Sequence, residues 1–292
     1  MRIIFFLTCL LCYPATANDW DIYPVPADPG EGMTWVLHSL SDDFNYEAPA
    51  KNKGDTFSQR WYEGFINAWK GPGRTEWHPH QSFVQDGKLQ LTAKRKRLSQ
   101  KIMMGSITSH EALIYPLYLE IRAKLANQVL ASDFWLLSED STQEIDVLEA
   151  YGGDREGNTW FAERLHLSHH VFIRDPFTDY QPKTDDTWYY DGTVWRDEFV
   201  RVGVYWRDPW HLEYYVNGKK VRESSGKDVI DRHNYTNGSG LNKPMQAIIN
   251  LEDQDWRTAQ GLTPTNEELR DPSRNPYQID WVRFYKPEPV NH

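Results

Sequence analysis

The chain has 292 residues, 42 of them Asp or Glu and 32 Lys or Arg, and a formal net charge of −10. That balance argues against a nucleic-acid partner, whose phosphates are held by clustered cations, and it disfavours a heavily sulfated polyanion as substrate. The 13 Trp, 16 Tyr and 12 Phe offer flat apolar faces with polar edges, which suit the C–H faces of sugars but also fill large β cores.

Residues 1–17 read as a secretion signal. Met1-Arg2 is a positive start, Ile3 to Cys12 an apolar run, and Ala15-Thr16-Ala17 a small-residue cleavage site. The run is too short for a membrane span, which needs about 20 residues. Both cysteines, Cys9 and Cys12, lie inside it, so the processed chain has no disulfide, catalytic thiol or cysteine-held metal. Residues 18–292 are expected to form one catalytic domain, secreted, monomeric and without a membrane span.

Farther along, period-two patterning dominates. Asp86-Gly87 before Leu89-Gln90-Leu91 marks a hairpin turn, and the basic run Lys94 to Arg97 reads as a solvated strand end or turn. Leu117, Leu119, Ile121, Ala123 and Leu125 alternate with polar residues, predicting a strand with one buried face. Val200, Val202, Val204 and Trp206 repeat the pattern, and Asn217-Gly218 marks a second hairpin after Leu212 to Val216. Met245, Ala247, Ile249 and Leu251 alternate with a polar face carrying Gln246, Asn250 and Glu252. Thr265, with Glu268 three residues on, is the one helix-start signal. The last strand candidate, Gln278 to Tyr285, leaves no room for an appended module. Many short strands and few helices predict an all-β sandwich or jelly roll.

The sharpest signal is Gln143-Glu144-Ile145-Asp146-Val147-Leu148-Glu149-Ala150. Three carboxylates share a segment whose other members want burial, a costly arrangement because like charges repel and desolvation penalises them. Glu144 and Asp146 share a strand face, while Glu149 is an odd offset away. A β-bulge at Val147-Leu148 would restore Glu149 to that face. Two carboxyls about 5–5.5 Å apart perform retaining glycoside hydrolysis; here Glu144 would attack, Asp146 would orient it, and nearby negative charge would keep Glu149 protonated. A calcium site or a solvated edge strand are the alternatives.

Glu-Ile-Asp-Val-Leu-Glu resembles the bulged Glu-x-Asp-x-x-Glu signature of glycoside hydrolase family 16. Phe134-Trp135-Leu136-Leu137 before it and His166 to Arg174 after it resemble that family's β-agarases, as do Tyr189 to Gly192, Leu212 to Tyr215 and Asp280 to Arg283. The resemblance covers residues 19–287. It implies a jelly roll of two curved antiparallel sheets with an open groove on the concave face. Glu144 would be nucleophile, Asp146 the assisting acid and Glu149 the acid/base, cutting agarose inside the chain at β-1,4 bonds to neoagaro-oligosaccharides.

Candidate substrate contacts are Trp69, His78, Trp135, His166, Arg174 and Glu252. Trp135 would floor the groove beside the cut bond, with core packing as the alternative. Trp69 would stack on sugar from a rim turn. His166 would bond sugar hydroxyls, with a core role as the alternative, and Arg174 would do so unless paired to a loop acid. Glu252 belongs to the polar strand face. The histidines His166, His169 and His170 do not read as a metal site, because His169 faces away and no carboxylate was placed beside the others. Catalysis should need no cofactor; the resemblance makes a structural calcium at Asp280 an expectation. A porphyranase or carrageenase acting on sulfated galactans is the nearest rival, and a galactan-binding lectin-like sandwich the rival without catalysis.

Overall fold

Strands form where the sequence alternates. The computed structural model, which describes residues 18–183 and 185–290, has strands at Leu117–Lys124, Val200–Asp208 and Met245–Glu252. The secretion signal expected at residues 1–17 lies outside the described residues. Asp86 and Gly87 (φ 53° and 67°), like Asn217 and Gly218 (φ 49° and 82°), take the left-handed conformations of tight hairpins.

Two large antiparallel sheets stack into an all-β jelly roll. The first runs Lys219–Ser225, His211–Val216, Val200–Asp208, Leu117–Lys124, Tyr277–Pro289, Lys88–Leu91, Ser82–Gln85, with Met33–Leu37 also paired to Tyr277–Pro289. The second runs Phe177–Tyr180, Leu165–Arg174, Gln143–Ala150, Ala131–Ser138, Met245–Glu252, Ser106–Leu113, Trp61–Glu63, with Trp188–Tyr189 beside Leu165–Arg174. Their facing sides supply the core: Leu119, Ile121, Val202, Val204 and Phe284 from one, Phe134, Leu136, Ile145, Leu167 and Ile249 from the other. Phe134 and Phe284 meet edge-to-face across it at 6.2 Å.

Three features depart from the sequence expectation. The polar face of Leu117–Lys124 is not solvated: Tyr118 and Glu120 are fully buried beneath the N-terminal segment. Trp35 packs 6.0 Å from Tyr118, and Arg283 bonds Glu120 at 2.8 Å while its Nη1 donates to the carbonyls of Trp20 and Tyr23. Second, a small sheet joins Thr75–Trp77, Ile102–Met104 and Ala93–Arg95, with its first pair parallel; the basic run is therefore a strand end and turn. Third, Thr265 and Glu268 form the capping box, each backbone N–H bonded to the other's side chain at 2.6 and 3.2 Å. It opens only a 3-10 turn, Glu268–Arg270, because Asp271 precedes Pro272 and turns extended.

Candidate active site

The acid strand Gln143–Ala150 lies between Ala131–Ser138 and Leu165–Arg174. On one side Trp135 pairs with Asp146 and Phe134 with Leu148, which leaves Val147 as the extra residue. On the other, Asp146 pairs with Ser168 and Glu149 with His166, so three steps oppose two. This is the bulge expected at Val147-Leu148. Ile145, Val147 and Leu148 are fully buried in the core, while Glu144, Asp146 and Glu149 all line one open groove of about 1130 Å³.

The groove also receives Trp69, Trp135, His166, Arg174 and Glu252. Trp69 is 49% exposed and edges against Phe65 and Trp77 at 5.1 and 5.2 Å. Trp135 is held flat by its Nε1–H, which donates to Asn250 Oδ1 at 2.6 Å. His166 stacks on Trp188 with centroids 4.3 Å apart. Arg174 donates to the Ser141 carbonyl and lies over Phe172 and Phe177 rather than pairing with a loop acid. Glu252 accepts from Asn250 and Gln254 at 3.1 and 2.6 Å.

Two expected positions fall elsewhere. His78 is not among the groove-lining residues described: Pro79 starts a 3-10 turn over Pro79–Gln81, and His78 Nδ1 accepts from the His80 N–H at 3.2 Å. Asp280 is ion-paired to Arg122, and neither His/carboxylate cluster among the described residues includes it.

The histidine reading is also corrected. Register places His170 opposite Glu144, so strand neighbours supply the carboxylates that sequence proximity did not. His170 Nε2 lies 3.4 Å from Asp146 and 3.9 Å from Glu144, while its Nδ1 bonds Asp179 at 2.8 Å. One atom each from Glu144, Asp146 and His170 lies close enough to meet a metal; here His170 is the ion-pair partner of both acids. Burial alone would lower the His170 pKa; the Asp179 bond and the charges of Glu144 and Asp146 outweigh it and raise it to about 10. His169, as expected, points into the core, where burial lowers it to about 3.

The His170 shift has a thermodynamic consequence. Its folded value lies above the ordinary 6.5, so the stability it contributes is complete below pH 6.5 and disappears as pH rises through about 10. Against His170→Gln, wild-type protein is expected to show its largest advantage in urea midpoint near pH 6 and a shrinking one by pH 10. Equal gaps at both pH values would contradict this.

Burial and neighbouring Asp146 push Glu144 well above the usual carboxylate range, and burial raises Asp146. Two touching carboxyls cannot both ionise readily, so the pair retains one proton. For Glu149 the sequence expectation is overturned. Burial favours its proton, but hydrogen bonds from His166, at 2.7 Å, and Tyr151 outweigh that and hold it below its ordinary value. Burial and the charge of Glu149 raise Glu252 to about 8, and burial, then Glu252, raises Asp133 well above its usual range.

Sequence reasoning considered His170 only as a metal ligand and gave it no role, and it did not single out Asp133, Tyr151, Trp188 or Trp256. Asp133 shares the Trp135 face, so alternation alone could have found it. Trp188 reaches the groove from the two-residue strand Trp188–Tyr189 and Trp256 from the five-residue helix Asp255–Ala259, elements too short for a period to report them.

An open cleft lined by indoles and clustered acids defines a polysaccharide-cleaving glycosidase. Comparison with known proteins agrees. The family model described as "Beta-porphyranase A-D, GH16 domain" matches residues 35–287. A β-agarase of Microbulbifer thermotolerans is 65% identical over 98% of this chain and 66% of its own length. β-Agarase B of Zobellia galactanivorans is 53% identical over 92% and 83%. The solved structure of an inactivated mutant β-agarase B in complex with agaro-octaose superposes with a TM-score of 0.91 at 52% identity, covering 93% of this chain and all of that one. The chain belongs to the β-agarases of glycoside hydrolase family 16.

Proposed function

We propose that the protein hydrolyses agarose at internal β-1,4 bonds with retention of configuration, releasing neoagaro-oligosaccharides. The observation that carries this reading is the bulge that turns Glu149 onto the face of Glu144. In the first step Glu144 attacks the anomeric carbon while Glu149 protonates the departing oxygen; in the second, Glu149 takes a proton from water, which attacks the glycosyl–enzyme ester. Attack requires the proton shared by the pair to sit on Asp146, which then donates to an ionised Glu144, and His170 supplies the balancing positive charge. Sugar entering beside His166 loosens one donor to Glu149 and removes water, both of which raise its proton affinity. The three acids supply every proton and the nucleophile, so the reaction needs no cofactor, and one chain suffices.

Endo action is supported by groove-lining residues past both ends of the acid strand: Arg174, bonded to Ser141 ahead of Glu144, and Trp256, against Tyr151 beyond Glu149. The neutral substrate is supported by charge. Arg174 and Lys183 are the only Lys or Arg among the described lining residues. Such a groove offers sulfate esters few counter-charges, which weighs against porphyran and carrageenan. No helix among the described residues is long and apolar enough to cross a membrane; with the signal-like residues 1–17, and a polymer too large to enter a cell, we place the enzyme outside it.

Agarose, porphyran and carrageenan digested in parallel, with proton NMR following the anomer first formed, test the reading. Agarose products appearing as the β-anomer are expected. Release from porphyran alone would overturn the substrate, an α-anomer the mechanism, and agarose binding without new reducing ends the enzyme.

A further inference from the structure

Tyr151 and Arg257 have no part in the mechanism above, yet both are almost completely buried beside Glu149. The Tyr151 hydroxyl donates to Glu149 Oε1, and His166 Nδ1 meets Oε2 at 2.7 Å. Arg257 lies over the Tyr151 ring, 4.6 Å from its centroid, and also faces Phe161 and Trp256 at 4.7 and 5.2 Å. Its Nη2 donates to Asn158 Oδ1 at 2.6 Å. Asn158 in turn donates to the carbonyls of Tyr151 and Gly153 at 3.1 and 2.6 Å, which latches the backbone just past the acid strand. Nε and Nη1 of Arg257 have no hydrogen-bond partner, and no described carboxylate is in ion-pair contact with it. A guanidinium buried without a counter-ion is costly. Aromatic faces offset part of that cost, and the carboxylates whose charge it feels are Asp253 and, one phenol ring away, Glu149.

We propose that Tyr151, clamped by Arg257, is a positioning residue that occupies Glu149 Oε1 and so confines the catalytic proton to Oε2. Each carboxyl oxygen has a donor, the phenol on Oε1 and His166 on Oε2; the phenol is clamped in the core, whereas His166 is the donor that entering sugar loosens, which frees Oε2 rather than Oε1 for the proton. The proton therefore leaves Oε2 for the glycosidic oxygen as the C–O bond breaks, and Oε2 recovers one from water as the ester is hydrolysed. The inference rests on the assignment of Glu149 as acid/base. The other titratable groups facing Glu149 are Asp146 on its own strand, Asp133 and Glu252 on the two strands to one side, and His166 and His170 on the other. Of these, Glu252 titrates in the alkaline range and needs a control.

Tyr151→Phe, Arg257→Lys and Glu149→Gln are to be compared with wild type on a soluble agaro-oligosaccharide across pH, with thermal melts, and Tyr151→Phe repeated in a Glu252→Gln background. Removing the phenol takes a donor from the ionised carboxylate, so the alkaline limb of kcat/KM moves upward by about 1 pH unit. Turnover falls about 10-fold or more with KM little changed, in both backgrounds, and Arg257→Lys moves the limb the same way by less. A folded Tyr151→Phe with wild-type turnover and limb overturns the proposal while Glu149→Gln stays inactive. Wild-type turnover in Glu149→Gln overturns the acid/base assignment itself. Should Tyr151→Phe fail to fold, the Arg257→Lys profile decides alone: a limb unmoved from wild type overturns the proposal.

Discussion

Glutamine in place of Glu144 is expected to reduce turnover on agarose by roughly 10⁴-fold or more, equivalent to about 5 kcal/mol of lost transition-state stabilisation. The amide keeps the shape and groove position of the side chain but cannot form the glycosyl ester. Binding should survive, because Trp69, Trp135 and Arg174 still line the groove. Stability should hold or rise: burial and Asp146 penalise the Glu144 charge in the folded protein, and the amide has no charge to penalise. Reducing-end release, oligosaccharide titration and thermal melting separate these effects. Turnover within tenfold of wild type would remove Glu144 from its assigned role.

Deleting Val147 should be equally damaging, for a different reason. Strand side chains alternate strictly, so loss of the residue that Trp135 and Phe134 leave unpaired rotates everything beyond it to the opposite face. Glu149 would enter a core now filled by Val147 and Leu148. If the strand slipped to prevent that, Glu144 and Asp146 would turn inward instead. In both arrangements the acids part, and an unpaired buried carboxylate costs several kcal/mol. Val147→Ala is the matched control: it retains the bulge, leaves a small cavity costing about 2 kcal/mol, and should keep most of the turnover of wild type. A folded deletion variant, checked by circular dichroism, that still cleaves agarose would show that the bulge is not what gathers the acids.

The acid strand was legible because two local rules conflict there. Alternation alone sends Glu149 into the core, whereas the cost of a buried charge forbids it, and an inserted residue resolves both. Strands such as Val200–Asp208 and Met245–Glu252 were legible from period alone, and the polar face of the latter does deliver Asn250 and Glu252 to the groove side. What remained hidden depends on register or on loops. His170 meets Glu144 only through cross-strand pairing, which a linear pattern does not encode. The buried outer face of Leu117–Lys124 reflects a segment about eighty residues away folding over it, and Arg122 claims Asp280 from a neighbouring strand. His78 was misplaced because the short turn that follows it reorients the loop, a local bend too brief to leave a signature.

The N-terminal cover also determines how this molecule could be joined to other things. Met33–Leu37 and Tyr277–Pro289 pair in the first sheet, the Val290 N–H donates to the Gly32 carbonyl at 2.9 Å, and the Trp20 and Tyr23 carbonyls accept from Arg283, so both described ends lie against the first sheet and not the one that carries the acids. A bead, a cellulose-seeking module or a cell-wall tether fused at either end would leave the cleft facing its gel unobstructed.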